Sequence, residues 1–590
     1  MKQRRSMAIV VLGATLAITT ATGAEASPGN SPARTDIAPT RSVERPARPD
    51  RTRQEEGGEY VVSFDADDRA AAVRAIEKAG GVVVDVQEPL GLALVETKHG
   101  DFADEVDGSS AVSGVVQNQS IGATRKGMAQ VRATERLTVM EKSAGTSGKP
   151  KSPRRRSGRD EPLENLQWDM EMIGATRDGA HRTATGERVT VGIIDTGVDA
   201  SHPDIAPNFN HRRSRNFTHD IPAIDGPCDT PTCIDPADVD EGGHGTHVAG
   251  TVGAARNRIG ITGVAPDASI VNVRAGQDSG YFFFYETVSA LLYAGDAGLD
   301  VVNMSFYTDP WLYNCASEDD YISGEVTEEQ IAEQAMIRRG VIAALEYAHD
   351  HGVTLVAAAG NSFTNLALPT REDATSPDYP PGTEGERVVT NNCLDLPTEG
   401  PHVLTVSAVG PSGTKSDFSN YGNPDIEVSA PGGWFRDGIG TPSHRTAPNL
   451  ILSSYPWDLA VEEGLIDEFG EPTDEFTYSS CNRNGCAAWT YLQGTSMASP
   501  HVAGEAALVV EAHGKGGRNK GKSLHPNTVS RTIMNTATDH ACPAGGIEIY
   551  TDEGRTPDWN AVCEGTTDRN GLYGEGIIDA EAAVAKRSRP

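Results

Sequence analysis

A chain of 590 residues is longer than one hydrophobic core usually organises, so more than one folded unit is expected. A hydrophobic share of 37 % with 63 Gly and 35 Pro suits a loop-rich globular α/β chain and excludes a fibrous or wholly disordered one. With 51 Lys and Arg against 83 Asp and Glu the formal charge is −32, which repels phosphate backbones and anionic lipid, so neither nucleic acid nor a membrane surface is an expected partner.

Residues 1–160 hold 24 basic and 21 acidic residues, leaving 27 and 62 for the remainder, so the whole acidic excess lies beyond a boundary near 160. Lys2, Arg4 and Arg5 precede the apolar, small-residue run 7–21, and Ala24-Glu25-Ala26 offers an A-x-A cleavage site. Residues 1–26 therefore read as a secretory signal, with export by the general route. The run is too short for an anchor, so the product is expected outside the cell and off the membrane. Residues 27–58, rich in Pro, Arg, Ser and Glu without apolar periodicity, read as a disordered linker.

Over 59–123 a β-α-β-β-α-β order is expected. Strands fall at Glu59–Phe64, Gly81–Val86, Leu90–Val95 and Val112–Gln117, and helices at Asp67–Ala79 and Phe102–Val106. That is the order of a small ferredoxin-like α+β unit. Residues 124–160, with Lys149, Lys151, Arg154, Arg155, Arg156 and Arg159 among Gly and Ser, read either as an exposed processing segment or as a solvated basic linker.

Beyond 160 three short motifs carry chemistry. The apolar run Thr190–Ile194 reads as a strand buried on both faces, and it delivers Asp195-Thr196-Gly197 to its C-terminal end, where parallel sheets collect their functional groups. His244-Gly245-Thr246-His247-Val248-Ala249-Gly250 is a glycine-rich turn running into a helix; it lacks the Glu that a zincin H-E-x-x-H requires. Gly494-Thr495-Ser496-Met497-Ala498-Ser499-Pro500-His501 is a second turn opening a small-residue helix. There a serine gains from the positive end of the helix dipole and from an unpaired backbone N–H, although an N-cap alone would also explain it.

Asp, His and Ser in that order, each in its own small-residue setting, resemble the subtilases, the subtilisin-like serine proteases, over about 161–585. The resemblance implies a doubly wound α/β domain (161–590) with a mainly parallel sheet and flanking helices. Its chemistry would be a secreted serine endopeptidase with Ser496 as nucleophile, His244 as general base and acid, and Asp195 orienting the imidazole. Asn361, in Ala357-Ala358-Ala359-Gly360-Asn361, takes the position of the amide that donates to the oxyanion. Residues 59–123 take the place of the family's inhibitor propeptide. The implied partners are thus a polypeptide substrate and the chain's own propeptide, in a monomer that needs no cofactor for catalysis.

Val301-Val302-Asn303-Met304-Ser305 resembles the family's substrate-pairing strand, with Ser305 near the residue before the scissile bond. Phe306 and Tyr307 follow where small residues are usual, and both are assigned to substrate binding. The aromatic run Tyr281–Tyr285 either walls an apolar pocket or is loop packing. Asp204 and Asn257 match positions that hold a structural Ca2+ in the family, with Glu164 as a third candidate ligand; a cap or turn salt bridge at Asp204 is the other reading. Eight cysteines in an exported chain are expected in disulfides, paired in sequential order from among 105 connectivities. Insertions fall at about 210–240, 307–339 and 433–489. The acidic stretch 461–475 in the third reads as a surface loop or as a border of the cleft. Two alternatives accompany the leading function: a narrow-specificity peptide-processing protease, and a non-catalytic binding protein on the same fold.

Overall fold

The structure, a computed structural model, describes residues 58–118, 161–222, 225–324, 326–372, 387–482, 485–516 and 521–585. The expected signal 1–26, almost all of the linker 27–58 and the basic stretch 124–160 lie outside the described residues.

The first unit runs β1 (Glu59–Ser63), α1 (Arg69–Lys78), β2 (Gly81–Gln87), β3 (Leu92–Thr97), α2 (Phe102–Asp107) and β4 (Gly114–Gln117). Its four strands lie antiparallel in the order β2-β3-β1-β4, the ferredoxin-like arrangement. Period-two alternation gives this small sheet two apolar faces. Val62, Ala93 and Val95 face inward onto Ala72, Ile76, Phe102 and Val106, the buried stripe of α1 and α2. Val61, Leu92, Leu94 and Val116 point the other way and share a core with Phe284, Tyr285, Met336, Ile337 and Val341 of the larger unit.

That larger unit is built on seven strands, all parallel: β5 (Thr190–Ile194), β6 (Arg215–Asn216), β7 (Ser269–Arg274), β8 (Val301–Met304), β9 (Thr354–Ala358), β10 (Val403–Val409) and β11 (Val428–Pro431). Their order is β11-β10-β9-β8-β5-β7-β6. Most are short runs of Val, Ile, Leu and Ala buried on both faces, as a sheet covered by helices on each side requires. Between β5 and β7 the chain forms α3 (His244–Gly253), between β7 and β8 α4 (Phe284–Asp296), and between β8 and β9 α5 (Glu328–Asp350). A long helix, α6 (Thr495–His513), follows the last strands, and Thr495–Val510 are buried without interruption.

Because β7 lies on one side of β5 and β8 on the other, the winding reverses at β5, and a crevice opens beyond its C-terminal end. The insertion 433–489 adds an antiparallel sheet of β12 (Ile451–Tyr455), β13 (Thr477–Asn482) and β14 (Gly485–Leu492). Tyr455 and Leu459 of this insertion pack against Gly243, directly before α3, whereas most carboxylates of 461–475 face solvent. The disulfides are Cys228–Cys233, Cys315–Cys393, Cys481–Cys486 and Cys542–Cys563, the sequential pairing. No helix among the described residues is long and apolar enough to cross a membrane.

Candidate active site

Asp195 leaves β5 fully buried, and its Oδ1 accepts from His244 Nδ1 at 2.7 Å and from Thr196 N at 2.8 Å. Burial pushes its carboxyl above the ordinary value, while the contact with His244 and the Thr196 N–H pull it back. The approach of β5 to α3 depends on glycine: a Cβ on Gly245 would stand 2.0 Å from the Gly197 carbonyl oxygen. Asp240 sets the turn before α3. Its Oδ1 accepts from Gly242 N, Gly243 N and Thr196 Oγ1, and its Oδ2 from the N–H and hydroxyl of Thr246. Sequence reasoning passed over Asp240; a carboxylate two residues before a Gly-Gly helix start is the signal that marks it. His247 is fully buried with Nε2 bonded to Thr490 O, a packing role apart from that of His244.

Ser496 stands in the first turn of α6, 5 % exposed, with its Oγ 3.4 Å from the Ser305 carbonyl oxygen. First-turn N–H groups of a helix have no intrahelical acceptor, so the Ser496 N–H is available to a ligand. Pro500 lies four residues on and has no N–H to return to the Ser496 carbonyl. That carbonyl instead accepts from Ser305 Oγ at 3.2 Å, and Ser305 Oγ is itself held by Asn303 Nδ2 and Ser499 Oγ, each at 2.8 Å. A proline inside a helix is thus the reason the turn of Ser496 is tied to the end of β8. Asn361 follows β9, and its Oδ1 accepts from both the N–H and the hydroxyl of Thr495 at 2.9 Å. With that oxygen fixed on the residue beside Ser496, the amide NH2 is left as the donor. Thr495, which also accepts from Gly360 N at 3.0 Å, is a positioning residue that sequence reasoning did not single out.

A buried carboxylate on an imidazole, and a serine hydroxyl with a backbone N–H and a side-chain amide nearby, are the parts that acyl transfer needs. A sequence model described as the subtilase family matches residues 186–562. The chain belongs to the subtilase family. It is 28 % identical over 403 residues to subtilisin DY of Bacillus licheniformis, covering 68 % of this chain and 92 % of that protein. It is 27 % identical over 422 residues to subtilisin Savinase of Lederbergia lenta, covering 71 % and 99 %. Among solved structures it is similar to the epidermin leader peptide processing serine protease of Staphylococcus aureus, with a TM-score of 0.57 at 19 % identity over 91 % of this chain and 99 % of that one, a likeness of fold. This subtilase is a serine endopeptidase that acts on polypeptides.

The subtilase's aromatic run proves to be packing. Tyr281, Phe282, Phe283, Phe284 and Tyr285 are all buried. Phe282 stacks on Phe306 with ring centroids 4.0 Å apart, and Phe284 and Tyr285 meet the ferredoxin-like unit. Phe306, assigned from sequence to substrate binding, is therefore 9 % exposed and supports the β8 end from behind, whereas Ser305 is locked into the turn of Ser496; Tyr307 remains half-buried at the surface.

The residues assigned to Ca2+ do not fit that ion. Asp204 Oδ2 accepts from Trp489 Nε1 at 2.8 Å and from Ile261 N at 3.1 Å, and its Oδ1 accepts from Asn257 Nδ2 at 3.0 Å. Asn257 Oδ1 accepts from Ile259 N, so the amide turns its donor to the carboxylate. Glu164 caps the preceding turn through Glu161 N and lies 3.8 Å from Arg177 Nε, and the Glu161 carboxylate accepts the N–H groups of Arg258 and Ile259. A cation's ligand oxygens must face one point free of N–H donors, and here each faces a donor. An indole and a carboxylate from the chain thus hold this loop together.

Proposed function

We propose that this subtilase is a secreted endopeptidase made as a self-processing zymogen. Ser496 Oγ attacks the scissile carbonyl carbon while His244 takes its proton. His244 returns that proton to the leaving amine as the acyl-enzyme forms, and water then releases the acyl group by the same route. Asp195 holds the imidazole tautomer and offsets its charge, and the Ser496 N–H with the Asn361 amide meets the oxyanion. The observation that carries the reading is the 2.7 Å bond from His244 to a fully buried Asp195 at the switch point of the sheet. The test is intact mass and amino-terminal sequence of the secreted chain beside Ser496→Ala, in a host lacking other extracellular proteases. Only the active chain is expected to shorten, to a start between residues 120 and 165; identical trimming of both would refute self-processing.

The ferredoxin-like unit is read as the inhibitor because of how it docks. Asn118 Nδ2 donates to both oxygens of Glu286, at 3.2 and 3.0 Å, and to Glu59 at 2.6 Å, and Asn118 Oδ1 accepts from Tyr285 N. Asp85 accepts from Tyr285 Oη at 3.0 Å and Gln87 donates to Ser289 Oγ at 3.0 Å. Burial, with Glu59 beside it, pushes Glu286 up to about 8; burial also raises Glu59, which His219 lowers and Glu96 raises further.

A carboxyl whose value is raised on docking binds a proton that the undocked form has released. Docking is therefore fully favoured below the ordinary carboxylate range and weakens as pH rises towards 8. The dissociation constant of the processed amino-terminal fragment is expected to be at least about tenfold larger at pH 8 than at pH 5, the equivalent of one pKa unit. Glu286→Gln should flatten that dependence, and an unchanged slope in this variant would refute the role of Glu286.

A further inference from the structure

The substrate residue whose carbonyl Ser496 attacks is bounded on two sides. Ser305, at the end of β8, brings its carbonyl oxygen to 3.4 Å from Ser496 Oγ, and Asn361, after β9, is fixed on Thr495 beside it. The side chain of that residue therefore enters between the chain leaving β8 at 305–308 and the chain leaving the neighbouring β9 at 359–361. What stands at the far end of this gap decides which side chain fits.

A third segment closes the gap, and it bonds to both walls. The Leu396 carbonyl accepts from Thr308 N at 2.8 Å, and Thr398 Oγ1 donates to the carbonyl of Ala358, the last residue of β9, at 2.8 Å. Cys393 is joined to Cys315, on the chain that leaves β8. Asp395 stands at the head of this bridge, 2 % exposed. A Cβ on Gly360 would lie 3.6 Å from Asp395 Oδ2, so the carboxylate reaches the wall beside Asn361, and glycine at 360 puts no side chain between them. A second carboxyl adjoins it. Glu399 Oε2 accepts from Asp395 N at 2.7 Å; burial, with Asp395 and Asp425 near it, pushes the Glu399 carboxyl well above its ordinary value, against the pull of the Asp395 N–H and Arg338. Two carboxyl groups so placed hold one negative charge between them rather than two.

We propose that Asp395 determines the specificity of this subtilase by selecting arginine or lysine as the residue before the scissile bond. The assignment rests on the serine endopeptidase chemistry proposed above and adds its substrate class. A carboxylate in a water-poor setting attracts a cation far more strongly than one in solvent. Arg and Lys can lay an apolar stem between the two walls and keep the charged head for the floor. An acidic head would meet Asp395 as a like charge, and an apolar side chain gains nothing from it. The chain's own sequence offers such residues where processing is expected: Lys149, Lys151, Arg154, Arg155, Arg156 and Arg159. The cut that releases the amino-terminal part is therefore expected directly after a Lys or an Arg.

The test uses the processed enzyme as it is secreted. kcat/KM is measured on peptide anilides of one sequence that differ only in the residue before the anilide: Arg, Lys, Phe, Leu or Glu. Arg and Lys are expected to exceed Phe and Leu by at least about tenfold, with Glu the slowest. Asp395→Asn should lower kcat/KM for Arg by at least about a hundredfold and that for Phe by less than about threefold, a split that a merely structural role would not give. Asp395→Glu should keep Arg ahead of Phe. Fluorophosphonate labelling of each chain separates the two ways of failing. A labelled enzyme that prefers Phe or Leu, or an Asp395→Asn enzyme that loses every substrate alike, overturns the assignment and leaves the serine chemistry intact. A parent that takes no label removes that chemistry, and the assignment with it. Should Asp395→Asn fail to fold, the parent decides alone: Phe or Leu ranked first, or a new amino terminus that follows neither Lys nor Arg, overturns the selection of basic residues.

Discussion

Ser496→Ala is expected to lower kcat on a peptide anilide by about a million-fold, the size of loss known for removing a subtilisin nucleophile, with KM nearly unchanged. Ser496 is 5 % exposed and its Cβ remains after the change, so the substitution removes one oxygen from a turn already anchored through the Ser496 carbonyl and Ser305. Packing is hardly altered, and the thermal midpoint is expected to stay within a degree or two. Labelling by a fluorophosphonate is the companion measurement, since it requires the activated hydroxyl. A variant that keeps a tenth of the activity would remove Ser496 as the nucleophile, and a native chain that takes no label at all would leave the non-catalytic reading of the fold standing.

Asp195→Asn is expected to cost about ten-thousand-fold in kcat. Asp195 Oδ1 accepts two donors while its Oδ2 is buried without a partner. An asparagine in that space has two placements. With its oxygen kept on His244 and Thr196, the amide NH2 sits unpaired in the core, at about 1–3 kcal/mol. Turned over, its NH2 meets His244 Nδ1 and forces the proton onto Nε2, the nitrogen that must accept from Ser496. Either placement removes the negative charge that offsets the imidazolium. Steady-state kinetics beside a melting curve separate the two costs. A cooperative melt with kcat within tenfold of the parent would remove Asp195 from the mechanism.

The parts of this enzyme legible in the sequence are those where one short segment contains its own reason. Asp195, His244 and Ser496 each lie where a strand end or a glycine turn meets a helix, so small-residue spacing reveals them, and the β-α-β-β-α-β order follows from local periodicity. What stayed hidden depends on distant partners. Whether the aromatic run faced a pocket or the core was decided by Phe306 stacking on Phe282 and by Asn118, just beyond β4, accepting from Tyr285 N. Asp204 looked like a ligand because it matches a position that holds Ca2+ in the family; Trp489, 285 residues on, supplies the donor that fills the place instead. Asn118 gives no local sign of bridging Glu59 and Glu286, because the bond to Glu286 spans 168 residues.

Ser496 rides on a helix whose first sixteen residues, Thr495 to Val510, are all buried. A side chain carried on a surface loop can drift while the body stays folded; one embedded like this has no private freedom. Heat should therefore not blunt this protease by degrees: it would cut at full strength until the core gives way, and then not at all. For a protease that is also a substrate for its own kind, this ties the end of its working life to the moment at which it becomes digestible.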